Sequence, residues 1–450
     1  MMALKSRINF NPPSLGVPAF LSNILPHERF SLINLGCARN LVDSEIILGQ
    51  MKSAHARIVP LEQADTVIVN TCAFIIDAKQ ETIDTLINLI DLKRAKKIKK
   101  IIALGCFTKR YAVIVKKEFP EIDEIYGTLS LDQDQNFPRD LLTPPWSAYV
   151  KICESCYNHC SFCAIPAIKG RFSSRRITPI VEEIKTLEGR GAKEINLIGQ
   201  DITAYGFDLG GSANLTALLK KIIAQTHKIH WIRLLYAFPK HVTDDLLDLM
   251  ASEERICQYL DVPLQHISNR ILTSMNRKFT QLQTVKLVEK IRKRIPQCSL
   301  RTAFIVGYPG ETDKEFKELC QFVKDIEFDH VGVFSYSKEE GTRAAQIKNQ
   351  ISGRIKHERY NKLMKIQQPL SAKRLKRFIG KNLEVLIEEQ KEENVFIGRS
   401  AYDAPEVDGV VYVQTKNRLK PGNFIQVKVV DSLEYDLCAQ YEVRNDEFSQ

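Results

Sequence analysis

The run Cys156-Tyr157-Asn158-His159-Cys160-Ser161-Phe162-Cys163 constrains this chain more than any other stretch. Three cysteines separated by three and then two residues can turn their sulfurs inward from one tight loop, which suits a metal or iron–sulfur centre. A closed structural zinc site takes four ligands. No fourth Cys or His follows at zinc-finger spacing, and His159, lying between the cysteines, is badly placed to be a ligand itself. A cubane held by three thiolates keeps one iron open to a small molecule. The competing reading is three free cysteines packed in a core as small apolar residues.

At 450 residues the chain exceeds one compact core, and roughly two to four domains are expected. No run of apolar residues is long enough to span a bilayer. The opening segment lacks the continuous apolar core of a signal peptide, so the expected location is cytoplasmic, with no membrane partner. In a reducing compartment the eleven cysteines read as metal ligands or plain thiols, not as a disulfide framework. A net charge of +10 suggests an anionic partner such as nucleic acid. From residue 381 onward, however, 8 Lys and Arg face 14 Asp and Glu, a net −6. Taken from the +10 of the whole, that leaves about +16 on the first 380 residues. An acidic C-terminal domain is ill suited to gripping RNA.

Residues 1–28 carry no periodicity and read as a poorly ordered arm. Beyond them, short apolar runs rich in β-branched residues predict buried parallel strands at 30–35, 66–70 and 101–104. Helical patterns follow at 41–54, 76–97 and 108–118, giving a doubly wound α/β domain over 29–137. Each of these strands runs into a cysteine: Cys37, Cys72 and Cys106. Ligands collect at the carboxyl ends of strands in open α/β sheets, so these thiols are expected to meet there as a second trio. The alternative is that each is a small residue beneath a turn. Asn40, Asp43, Ser44 and Glu45 read as ordinary capping and helix-dipole residues.

Prolines 138, 144 and 145 mark a boundary. Strands are expected at 148–152, 194–199, 231–236, 259–262, 300–306 and 330–336, with helices between them. Six βα units fall short of a full eight-unit barrel; an open, partial (βα)6 barrel over 148–378 fits. A basic helix at 354–377 closes it. Residues 381–447 hold five short β-patterned runs and the turn Lys420-Pro421-Gly422-Asn423, as in a small OB-like barrel.

Three strand ends of the barrel carry polar motifs. Gly199-Gln200-Asp201 follows the second strand; its glycine lets backbone approach a ligand, and Gln200 and Asp201 are suited to an ammonium group, though such a triplet also makes an ordinary turn. The fifth strand runs into Gly307-Tyr308-Pro309-Gly310-Glu311-Thr312, a rigid turn in which Glu311 or Thr312 can cap the next helix. Asp261 and His266 project past the fourth strand, and Arg171, Ser174 and Arg175 follow the cysteine loop, where a guanidinium fork can take a carboxylate.

The spacing of Cys156, Cys160 and Cys163 resembles the signature of radical S-adenosylmethionine (SAM) enzymes, and residues 30–446 resemble the methylthiotransferase family within them. That resemblance implies a [4Fe–4S] cluster on Cys156, Cys160 and Cys163 with SAM on its open iron, and a second, sulfur-handling [4Fe–4S] cluster on Cys37, Cys72 and Cys106. It implies SAM contacts at Gly199, Gln200 and Asp201 and adenine contacts at Gly307, Pro309 and Glu311, and it makes residues 381–447 a TRAM domain. Two stretches, GCARNLVDSE and RSAYDAPEVDGVVYV, are similar to the branch that methylthiolates the β-carbon of an aspartate in small-subunit ribosomal protein S-twelve. Tyr157 departs from the pattern, since relatives commonly carry Asn directly after the first cysteine.

An sp³ C–H bond is too inert for side-chain acid–base chemistry, so a cofactor must supply the reactivity. The resemblance implies a deoxyadenosyl radical that removes the β-hydrogen, and a methylthio group assembled on the second cluster with another SAM as methyl donor. A reductant protein such as flavodoxin or ferredoxin is implied as electron source. Ribosomal proteins are basic, so the acidic TRAM domain complements one as a docking surface and would repel an RNA backbone. Two rivals stand beside this reading: the same chemistry on tRNA adenosine, and a non-catalytic adaptor using its cysteines structurally.

Overall fold

The computed structural model describes residues 28–129, 134 and 136–442; the expected arm lies outside them except for its last residue. The described residues divide into two compact units, those up to residue 142 with 165–180, and 143–164 with those from 181 onward.

The first unit is a parallel α/β sheet. Its strands are β1 (Arg29–Asn34), β2 (Arg57–Ile58), β3 (Thr66–Thr71), β4 (Lys100–Gly105) and β5 (Glu124–Ile125), in the order β2-β1-β3-β4-β5. The three long strands are those expected; the two-residue edge strands are too short to leave a period. β3 is buried along its whole length, as its central place requires. Phe30, Ile47, Met51, Ile68, Ile102 and Leu104 make a core on one face, each contributing about 1.5–3 kcal/mol by burial. Helices α1 (Ala38–Ser53), α2 (Ile76–Arg94) and α3 (Cys106–Glu118) return the chain between strands. The order reverses between β1 and β3, and the crevice outside that reversal is where such sheets bind ligands.

In the second unit six parallel strands lie side by side in chain order: β6 (Ser147–Lys151), β7 (Glu194–Ile198), β8 (Trp231–Leu234), β9 (Ile256–Asp261), β10 (Ser299–Val306) and β11 (His330–Ser335). Successive addition on one side, with helices as crossovers, is how a βα barrel grows; the sheet stays open at six strands. Capping boxes at Thr280 and Thr312 start two of the helices. Five further strands, β12 (Asn382–Glu392), β13 (Val395–Ser400), β14 (Val411–Gln414), β15 (Phe424–Ser432) and β16 (Leu437–Gln440), form a closed barrel, the expected way of removing exposed edges. Its interior is aliphatic, with Val385, Ile387, Val411, Val413, Val427 and Val429 all buried.

The small barrel lies in one unit with the six-stranded sheet, and buried ions join the two. Glu194, the first residue of β7, accepts from Arg399 of β13 (Nη2 to Oε2, 2.6 Å), from Arg233 and from Ser147. Asp408 accepts from Tyr259 and Arg301, each at 2.7 Å. Residues 165–180, in turn, belong with the first unit, where Lys169, nearly inaccessible, lies 3.6 Å from the equally buried Asp43. Among the described residues no helix is long and apolar enough to cross a membrane.

Candidate functional site

The strand ends of the first unit bring Cys37, Cys72 and Cys106 to one crevice. Asn34 of β1 is level with Asn70 of β3, and Thr71 with Gly105 of β4. Cys37, Cys72 and Cys106 therefore leave three adjacent strands at the same end. Two glycines set the closeness. Gly36, before Cys37, has φ +92°, and a Cβ there would stand 2.8 Å from both Cβ and Sγ of Cys72. Gly105, before Cys106, has φ +107°, and its Cβ would meet Thr71 backbone at 2.6 Å. Only glycine accepts both the left-handed backbone and the contact.

Cys37 is the N-cap of α1 and Cys106 opens α3, so both sulfurs sit at helix N-termini, where negative charge is favoured. Burial pushes the Cys37 thiol up, but Arg39, the backbone N–H groups of Asn40 and Arg39, and Lys169 outweigh it, so the net shift is downward. Burial dominates at Cys72 and raises it. The thiol of Cys106 lies 3.8 Å from Asn40 Oδ1. Asn40 in turn donates to the carbonyls of Leu35 and Thr71, and Asn70 donates to the Asn40 carbonyl and to Ser44. Asn40, Asp43, Ser44 and Glu45 are thus not capping residues. All four are buried; Glu45 pairs with Arg139 and accepts from the Leu142 backbone. Arg171 is exposed, while the buried Arg175 donates to Asn136 at 2.8 Å.

In the second unit the strand C-termini share a strained geometry. Ser155, Tyr236, Gln265 and Gly307, each just past a strand, all have φ between +62° and +72°. For three non-glycine residues that costs about 1–2 kcal/mol each, and such strain collects at functional mouths. The cysteine loop begins there. Asn158 holds it: its backbone N–H lies 3.4 Å from Cys156 Sγ, and its amide nitrogen reaches Cys156 Sγ at 3.8 Å and Asp201 Oδ2 at 2.7 Å. Arg277 Nη1 lies 3.6 Å from Cys160 Sγ. The side chain of His159 is exposed, and its carbonyl accepts from Asn276 and Arg343, both at 2.7 Å. Burial drives the Cys156 thiol up to about 11, against the Asn158 N–H. A metal that binds there must displace a proton.

The polar motifs do more structural work than the sequence suggests. Gly199 is required because the buried Cys153 Sγ would lie 2.4 Å from a Cβ at that position; the close neighbour is a side chain of the same chain. Asp201 is buried, and its Oδ1 accepts from the Thr203 and Ala204 backbones while Oδ2 meets Asn158 and His241. Gln200 differs: its Oε1 is enclosed without a hydrogen-bond partner. Thr312, not Glu311, caps the following helix. Glu311 turns inward, where Oε2 accepts from the Gly307 and Tyr308 N–H groups, leaving Oε1 3.8 Å from His266 Nε2. Both of those facing atoms are buried and otherwise unpartnered, while His266 Nδ1 accepts from Ser268. Pro309 is buried in the same turn. Sequence reasoning missed Lys151 and Glu154, which pair at 2.6 Å at the entrance to the cysteine loop, the lysine wholly buried. The sequence signal was a lysine ending an otherwise apolar strand.

Both trios suit a cluster. Among the described residues no three His, Cys, Asp or Glu side chains stand close enough to hold one metal ion. A cubane needs no such convergence, because each thiolate takes a different iron. N–H donors at Cys156 and Cys160 and helix N-termini at Cys37 and Cys106 favour anionic thiolates, against the burial that raises Cys72 and Cys156.

Known proteins carry the same three parts. Residues 29–127 match the Uncharacterized protein family UPF0004, residues 150–323 the Radical SAM superfamily and residues 379–441 the TRAM domain. The chain is 44% identical over 437 residues to the ribosomal protein uS12 methylthiotransferase RimO of Desulforamulus reducens, spanning 91% of this chain and 98% of that one. It is 44% identical over 424 residues to the protein of the same name from Aquifex aeolicus, spanning 92% and 97%. Among solved structures it is similar to the radical S-adenosylmethionine methyltransferase TsrM from Kitasatospora setae, with a TM-score of 0.52 and 14% identity over 68% of this chain and 72% of that one; this likeness concerns the fold alone. The chain belongs to the RimO family of radical SAM methylthiotransferases.

Proposed function

We propose that this enzyme adds a methylthio group to the β-carbon of an aspartate in ribosomal protein uS12, using SAM and two [4Fe–4S] clusters. The observation that supports two centres is the pair of separate cysteine trios: Cys37, Cys72 and Cys106 past adjacent strands of one sheet, and Cys156, Cys160 and Cys163 in one loop. In this reading residues 29–137 handle sulfur, 148–378 generate the radical and 381–447 serve the substrate.

When bound and reduced, a cluster with an open iron supplies the cleavage of SAM that activates an inert C–H bond. The chain's own residues do the rest. Asp201 keeps Asn158 aimed at Cys156, and Arg277 offers a positive charge to Cys160. Gln200, with its unpartnered Oε1, is the group we assign to the SAM ammonium, beside the backbone of Gly199 and Asp201. The turn of Gly307, Pro309 and Glu311, held by the Glu311 carboxylate, is the one we assign to the adenine. Asn40 and the N-termini of α1 and α3 steady the thiolates of the second trio.

The acidic domain is our candidate for docking the basic substrate. Asp403 and Asp408 are turned inward, where His330, Arg301 and Tyr259 surround them. The acids that remain in solvent include Glu389, Glu392 and Glu393, at and beside the β12–β13 turn, and they offer a basic protein a complementary patch. Anaerobic reconstitution tests the whole reading. About eight irons per chain, reductive SAM cleavage and methylthiolated uS12 are expected; bound zinc without cleavage, or modification of tRNA alone, would refute it.

A further inference from the structure

We propose that the surface around Tyr157 and Phe207, rimmed by Lys240 and Lys278, is the docking face for an acidic one-electron carrier protein that reduces the Cys156–Cys160–Cys163 centre. The proposal rests on the reading of that loop as a redox cluster site. Tyr157 and Phe207 are 53% and 50% exposed. Their rings meet edge to face at 5.3 Å, and Phe207 rests on His241 at 5.0 Å. Large aromatic rings left half in water are what protein interfaces use as anchors.

Tyr157 and His159 lie between Cys156 and Cys160 in the loop itself, so a partner seated on them is within a few atoms of the thiolates. Lys240 and Lys278 are exposed and make no ion pair among the described residues. Arg277, stacked on Phe238 at 4.2 Å, adds a third positive charge beneath them. Of the nearby acids, Asp201 is buried against Asn158 and His241, and Asp208 is engaged within the chain. A hollow of about 150 Å³ lies among Tyr157, Phe238, Lys240 and Lys278, room for one side chain of a partner; a carboxylate suits it. Nucleic acid would also meet aromatic and basic groups here, but two exposed lysines screen only about two phosphates.

The step moves one electron and nothing else: the carrier's reduced cofactor is oxidised by one electron and the cluster is reduced by one. Lys240→Glu with Lys278→Glu is expected to weaken binding of a purified flavodoxin at least about tenfold by calorimetry and to remove its salt dependence. It should slow flavodoxin-driven reduction, followed by the cluster's paramagnetic signal, while dithionite-driven SAM cleavage and iron content stay at the wild-type level. Lys240→Arg with Lys278→Arg should bind as wild type. Unchanged flavodoxin binding and reduction in the Glu variant would overturn the proposal, as would tRNA binding lost at these lysines with carrier binding intact. Failure of the wild-type protein to cleave SAM with dithionite would instead refute the cluster reading, leaving the binding titration to judge the surface by itself.

Discussion

Arg399 of the small barrel sets its guanidinium on Glu194 of the six-stranded sheet, with Nη2 2.6 Å from Oε2 and neither side chain more than 2% exposed. Arg233, wholly buried, shares the same carboxylate at 3.1 Å. A buried carboxylate with two guanidinium partners is stable only as a set. Replacing Arg399 by Ala leaves Glu194 and Arg233 without their third member and is expected to cost about 3–5 kcal/mol. Denaturant unfolding checks it; a loss below about 1 kcal/mol, the value of a surface pair, would show that the junction is not the buried lattice described.

The same carboxylate sets an acid limit. Burial alone would raise Glu194, but Arg399 and Arg233 bring it down from 4.5 to about 2. A group whose folded pKa is depressed stabilises the fold above its ordinary value and loses that contribution as pH falls through the folded value. The wild type is expected to lose stability between pH 4.5 and 2, and Glu194→Gln to show a flatter acid limb from a lower starting point. Acid titration at fixed urea reads this directly; parallel curves would remove Glu194 from the account.

Two glycines make separable predictions. Gly36→Ala combines a left-handed φ with a Cβ 2.8 Å from Cys72, and is expected to remove about half of the bound iron while SAM cleavage persists. Gly199→Ala drives a Cβ to 2.4 Å from Cys153 Sγ and should cost about 1–3 kcal/mol by overpacking. Cys153→Ala in the same chain should recover most of that loss. No recovery in the double variant would mean that Gly199 serves something other than room for Cys153.

Reversing Glu389, Glu392 and Glu393 together to Lys is expected to raise KM for uS12 at least about tenfold, leaving substrate-free SAM cleavage unchanged. Steady-state kinetics at two salt concentrations checks it, since a charged rim contact weakens with salt. An unaltered KM would move substrate docking away from this turn.

Much of this was legible in the sequence because it is local. Apolar β-branched runs gave the three long strands of the first sheet and all six of the second, and the tight spacing of Cys156, Cys160 and Cys163 advertised their loop. What was not legible depends on partners distant in sequence. Asp403 and Asp408 count as surface charge until the fold turns them toward His330 and Arg301. At Gly199 the place a side chain would take is occupied by Cys153, 46 positions earlier, which no local pattern signals. Asn40 and Ser44 resemble helix-start residues, yet serve a buried amide network that only strand pairing creates. Glu311 and Thr312 stand side by side in sequence, and only the backbone path of the turn decides which one caps.

The most direct test is intact mass spectrometry of uS12 after anaerobic incubation with SAM, reductant and sulfide. Wild-type protein and the Cys37→Ala, Cys72→Ala, Cys106→Ala triple variant are compared. The account predicts one methylthio group replacing one hydrogen with the wild type, and SAM cleavage without any methylthio product with the variant. Methylthiolated uS12 from the triple variant, or unmodified uS12 from a fully reconstituted wild type, would contradict it.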